Sequence, residues 1–171
     1  SGVLRGEGGF DPVTNLQFSA NSSFALGQPV TDQNFVVTPL STLMNEYNNS
    51  SDFDGFKSKL GLDSTYMIRY NDPYSSLGTP ALNKAAVVNT QILVMHEVLN
   101  AIHTFNNDNA ANKIAGAIYT RTGSETSLGD TTFIKDMLTN LDTDFSPTSE
   151  QLVSLSAGIS AYMQKINANS S

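Results

Sequence analysis

The sequence predicts a mostly α-helical fold: a helical bundle around a long central helix at about residues 80–105, led by a short extended or β N-terminal arm. Three observations predict it. After residue 38, apolar residues recur at three- and four-residue spacing in successive segments. The stretch 80–105 is apolar on most of its circumference, which is the pattern of a helix enclosed by others. Residues 1–37 instead show short alternating runs broken by Gly, Pro and Asn. The domain reading is therefore an arm at 1–37 and a helical bundle at 38–171.

Within the arm, Val3, Leu4 and Arg5 read as a short strand, and Gly6-Glu7-Gly8-Gly9 as a flexible turn. Asp11-Pro12-Val13-Thr14-Asn15 gives a second turn, Leu16-Gln17-Phe18 alternates like a strand, and Phe35-Val36-Val37 is β-favouring. Phe10, Phe18, Phe24 and Phe35 are expected to pack the arm on the body.

Thr38-Pro39 is an N-cap followed by Pro at the first helical position, with Leu40, Leu43, Met44 and Tyr47 as the apolar stripe. Ser51 is placed to cap a second helix that buries Phe53, Phe56 and Leu60 and stops at Gly61. Residues 63–79 read as a loop. On the central helix Leu82, Ala86, Leu93, Leu99 and Ile102 line one side. Val87, Val94, Val98 and Ala101 line another, leaving Asn83, Thr90, Glu97 and Thr104 as a polar stripe. A helix from Asn109 to about Thr120 follows, then one capped by Asp130 or Thr131, then one starting at Ser146-Pro147. This last helix carries Leu152, Leu155, Ile159, Met163 and Ile166, a narrow stripe that docks one face and solvates the other.

Composition narrows the function classes. The chain has 171 residues, 39% apolar, enough for one domain with a real core. Only 15% are charged, so Ser, Thr and Asn supply the polar surface, a profile that suits an extracellular protein. The net charge is −7 and the nine basic residues are scattered, which disfavours nucleic acid and anionic membrane surfaces. With no cysteine, disulfides, thiolate metal sites and a Cys nucleophile are excluded. No uninterrupted apolar run approaches the length of a membrane span, so none is expected. No signal-peptide pattern is seen, and Ser1-Gly2 reads as a processed or engineered start.

The chemistry-bearing residues read as structural. His96 and His103 lie seven apart on the central helix, sharing a side but separated by roughly 10 Å along the axis, too far for one metal ion. His96-Glu97 is not a zinc-protease motif, because residue 100 is Asn. Both histidines are expected to make ordinary hydrogen bonds. The acidic steps Asp52/Asp54, Asn71/Asp72 and Asp142/Asp144 lack the EF-hand pattern and suit capping and turns, with calcium as the alternative. Gly6-Glu7-Gly8-Gly9 is no phosphate loop, and no nucleophile elbow is present. No catalytic, cofactor or metal residue is therefore named, no cofactor is expected, and the chain is not expected to be an enzyme.

Gly8-Gly9-Phe10-Asp11-Pro12-Val13-Thr14-Asn15, taken with Val36-Val37-Thr38-Pro39-Leu40-Ser41-Thr42-Leu43, resembles a segment of very large secreted bacterial adhesin-like surface proteins. There an Ig-like or carboxypeptidase-regulatory-like β-module ends in a pattern like GGxDxxTG, and a stretch like VVTPLTTL opens a helical region. Leu60-Gly61-Leu62, Tyr70-Asn71-Asp72-Pro73 and the Ala-rich run from Ala81 to Asn89 fall in the same order, so the likeness spans roughly residues 6–100. Asn15 stands where the pattern usually has Gly. The resemblance implies a structural module of an extracellular or cell-surface protein, without catalytic residues to carry over.

The function expected is thus a non-catalytic extracellular structural or adhesion module of a bacterial surface or matrix protein. Its expected partners are neighbouring modules or copies of itself, with Val3, Leu4 and Arg5 as the assembly residues. Two alternatives stand beside it. One is a subunit of a secreted filament that assembles by N-terminal strand pairing. The other is a small-ligand or glycan-binding domain using Tyr66, Tyr70 and Tyr74.

Overall fold

The computed structural model describes the side chains of residues 36–46, 54–75, 79–106, 108–122 and 126–168, and the backbone of residues 3–7, 9–11, 16–18, 25–29 and 53. Among the described residues four short strands precede six helices: β1 (Val3–Glu7), β2 (Gly9–Asp11), β3 (Leu16–Phe18) and β4 (Ala25–Pro29). The helices are α1 (Pro39–Glu46), α2 (Phe53–Lys59), α3 (Pro80–Ile102), α4 (Ala110–Thr120), α5 (Thr131–Thr139) and α6 (Ser149–Ala168). The fold is mostly α, as the sequence predicts.

The strands nest. β2 pairs antiparallel with β3, and β1 with β4, so the chain goes out along β1 and β2 and returns along β3 and β4. One residue, Gly8, separates the outgoing strands, and residues 19–24 separate the returning ones. Val3, Leu4 and Arg5 lie opposite Pro29, Gln28 and Gly27. The strand expected at Val3, Leu4 and Arg5 thus has a partner within its own chain. Gly6 and Glu7 belong to β1 rather than to a turn. The packing expected of Phe10, Phe18, Phe24 and Phe35, like the caps expected at Ser51 and Asp52, lies outside the described side chains.

Several helix boundaries have a local cause. At α1 the Thr38 side chain accepts from the Ser41 N–H (3.0 Å) while the Ser41 side chain accepts from the Thr38 N–H (2.9 Å), a reciprocal cap. At the end of α2, Leu62 N–H donates to Lys57 C=O and Gly61 N–H to Ser58 C=O. Gly61 has φ 62°, so this is a Schellman ending that glycine accommodates without strain. Thr79 caps α3, Asn109 caps α4 and Asp130 caps α5, each side chain accepting from a first-turn N–H.

Two expected boundaries move. The central helix ends at Ile102 rather than 105, because His103 turns extended (φ −147°, ψ 145°). The last helix starts at Ser149, not at Ser146-Pro147. There Thr148 and Gln151 form the capping box, Gln151 N–H to Thr148 Oγ1 at 3.2 Å and Thr148 N–H to Gln151 Oε1 at 2.8 Å.

The core runs through all six helices, with Leu40, Phe56, Ile92, Ile114, Ile134 and Met163 among its members. α3 packs on α1, α4 and α6, and α4 on α1, α2, α3 and α5, so the two share the centre. α3 has an 18-residue window of mean hydropathy 1.3 and is long and apolar enough to cross a membrane; 67% of that window is buried in the helical body. The expected polar stripe along α3 is only partly solvated: Asn83 and Thr104 are exposed, Thr90 is fully buried and Glu97 is half-buried. α6 approaches closely at Gly129, where a Cβ would come within 3.3 Å of Gln164 Cγ. Ser160 Oγ donates to the Gly129 carbonyl at 2.6 Å in the same contact.

Candidate functional site

Two buried side-chain amides on α3, Asn89 and Gln91, tie it to other helices. Asn89 is fully buried; its Oδ1 accepts from Leu40 N–H at 2.9 Å and its Nδ2 donates to Ala85 C=O at 2.8 Å. Gln91 Nε2 donates to Met163 C=O on α6 at 3.0 Å. Sequence reading passed over both residues. Their only signal was an amide placed inside the apolar run Val87–Met95.

His96 is buried, with Asn100 Nδ2 at 3.0 Å from its Nδ1. Burial lowers its pKa to about 4, so the ring is neutral at pH 7. His103 is the C-cap of α3: its N–H still donates to Leu99 C=O, and the backbone leaves the helical path there. Its Nε2 meets Asp142 Oδ2 at 3.2 Å, and its ring lies edge-on to Phe105 and Phe145, with centroids 4.8 Å and 5.7 Å away. The His103 contact, followed by the Thr143 N–H, holds the Asp142 carboxyl below its usual range. This clasp fixes the end of α3 to the connection between α5 and α6. The next residue in sequence after His96, Glu97, has a carboxylate oxygen buried without a hydrogen-bond partner, and burial raises its pKa.

The acidic steps build turns. Asp54 pairs with Lys57 (3.0 Å), Asn71 Oδ1 accepts from Met67 N–H (2.7 Å), and Asp72 Oδ1 accepts from Tyr74 N–H (2.9 Å). Asp142 accepts from Thr143 N–H and Asp144 from Thr143 Oγ1. Asp142, Asp144 and Asp108 do line one recess, but the Lys113 ammonium already sits there, 3.1 Å from Asp108. Among the described residues, no three His, Asp or Glu side chains are grouped to hold a metal ion.

The three loop tyrosines are not equivalent. Tyr66 is 2% exposed, and burial pushes its phenol up to about 12. The hydroxyl is near Asn89 without making a hydrogen bond of normal geometry. Tyr66 is therefore a core residue and not a stacking platform. Tyr70 is exposed beside Met67 over a shallow recess that Lys57 and Arg69 also line. The loop is held to the body by Val36 N–H donating to Arg69 C=O at 2.7 Å.

A wider groove lies between α4 and α5. Asn112, Gly116 and Thr120 form one wall, and Thr132, Asp136 and Asn140 the other. Arg121 closes its end, 2.7 Å from Asp130 and 3.7 Å from Asp136. Thr120 Oγ1 and Asn140 Nδ2 are bonded to carbonyls of their own helices, so the walls are largely self-satisfied. Val3, Leu4 and Arg5 lie in β1. Compared with protein families, curated proteins and solved structures, the chain matches none.

Proposed function

We propose that the chain is a non-catalytic structural or adhesion module of an extracellular bacterial surface or matrix protein, joined through its N-terminal strands to neighbouring modules or to copies of itself. The observation that carries this reading is the state of β1 and β4. They form a two-stranded sheet, so each leaves one ladder edge that no strand among the described residues completes. A two-stranded ribbon is marginal in water by itself, and an added strand supplies main-chain hydrogen bonds along the open edge. β4 lies against α1, so a strand added there is coupled to the helical body. The resemblance at Gly8–Asn15 and Val36–Leu43 supports the same setting.

The secreted-filament reading uses the same edge, with a second copy as the donor. The glycan-binding reading has less support, since Tyr66 is buried. Deleting residues 1–9 tests the proposal, with circular dichroism reporting the body and light scattering or electron microscopy reporting assembly. Helical content is expected to stay and higher-order assembly to vanish. Assembly that persists without β1 overturns the reading.

A further inference from the structure

The outward face of α6 is unusual for a solvated helix. Val153 and Tyr162 are 54% and 46% exposed, and between them Ser154, Ala157, Gly158 and Ala161 are all exposed small residues. Its charges stand at the two ends: Glu150 in the first turn and Lys165 in the last, 15 residues or roughly 22 Å apart. On a helical wheel Glu150, Ser154, Ala157, Gly158, Ala161 and Lys165 share one strip, with Val153 and Tyr162 flanking it on opposite sides.

The arrangement is symmetric about the step between Ala157 and Gly158. Glu150 lies as far before that step as Lys165 lies after it, and Val153 as far before it as Tyr162 after it. We propose that this face binds a second copy of the chain, with the two α6 helices antiparallel across a two-fold axis at residues 157–158. The pairing brings Glu150 of each copy level with Lys165 of the other, giving two charge pairs from one contact, as an isologous interface requires. A parallel arrangement would instead set Glu150 against Glu150 and Lys165 against Lys165. The small residues let the backbones approach, and Val153 and Tyr162 cover the flanks of the crossing. Antiparallel helix dipoles add to the preference. One helix pair buries less than a standard stable interface, so the dimer is reversible and grows with concentration.

This surface belongs to α6 and not to the strands, and its test leaves β1 untouched. Sedimentation equilibrium of the full chain over a concentration series is expected to show a monomer–dimer equilibrium. Glu150→Lys and Lys165→Glu should each weaken it about tenfold, because two exposed attractions become two repulsions. The double swap Glu150→Lys/Lys165→Glu should restore it. Gly158→Leu should abolish the dimer while the thermal midpoint holds or rises, since a Cβ at 158 meets nothing within 4 Å in the monomer. The chain has no cysteine, so Gly158→Cys gives a clean crosslinking probe. It should crosslink readily on oxidation, and Ala161→Cys should not, because its two copies lie about 10 Å apart along the axis in the antiparallel pair. A strictly monomeric chain, a double swap that fails to recover, or equal crosslinking at 158 and 161 overturns the proposal.

Discussion

Asn89 Oδ1 accepts the N–H of Leu40 at 2.9 Å across 49 residues of sequence, so the start of α1 is capped by a side chain from the middle of α3. Thr38 and Ser41 satisfy the neighbouring groups locally; the Leu40 N–H depends on the distant amide. Asn89→Leu removes the acceptor and leaves that N–H buried. A loss of about 1–3 kcal/mol is expected in urea unfolding, the cost of an orphaned buried donor. A change of a few tenths would mean that water or another group replaces the amide.

Leu99 is fully buried in the common core and Val153 is mostly exposed. Leu99→Ala is expected to cost about 2–5 kcal/mol through the cavity it opens. Val153→Ala should stay within about 0.5 kcal/mol at concentrations where the chain is monomeric. Comparable losses at both positions would contradict the orientation of α3 or α6.

His96 makes stability depend on pH. Its folded pKa, about 4, lies below the unfolded value near 6.5, so the unfolded chain takes up the proton first. The contribution is full above pH 6.5 and is lost as pH falls toward 4, for a total of about 3 kcal/mol. Asp142, whose pKa is also lowered, adds its loss at still lower pH. His96→Leu should flatten the stability profile between pH 6.5 and 4. An unchanged slope in the variant would place the titrating group elsewhere.

Glu97 works in the opposite direction. Its pKa is raised by burial, so the folded state prefers the protonated carboxyl, and stability declines as pH rises through the folded pKa. Glu97→Gln keeps the shape and removes the charge. The thermal midpoint at pH 7 should rise, and the gain over the parent should shrink in acid. A drop at pH 7 would mean that the charge has a favourable partner.

Capping chemistry made most of the helices legible. Thr38, Asn109 and Asp130 start helices where their side chains and the following apolar spacing say they should. The start of α6 was legible too, in Thr148 and Gln151, but Ser146-Pro147 presents the same kind of signal two residues earlier. The end of α3 was not legible. Apolar spacing continues to Phe105, but the helix ends where the His103 ring packs against Phe105 and against Phe145, the latter some 40 residues away in sequence. Asn89 and Gln91 show the same limit: a polar residue in an apolar run signals a buried bond without naming its partner. β1 finds β4 across the inserted β2–β3 pair, a separation beyond any hairpin signal.

The way α6 is held sets an order in time. Gln91 on α3 waits for the carbonyl of Met163, 72 residues later, and Gly129 for the hydroxyl of Ser160. Met163 itself is fully buried, with Ile159 and Ile166 on either side of it in the same core. As the chain is synthesised or threaded through a narrow passage, residues 39–141 emerge with one wall of their core uncovered. That wall closes only when α6 arrives. Without α6 the amide of Gln91 and the carbonyl of Gly129 lose these partners and the apolar wall lies open.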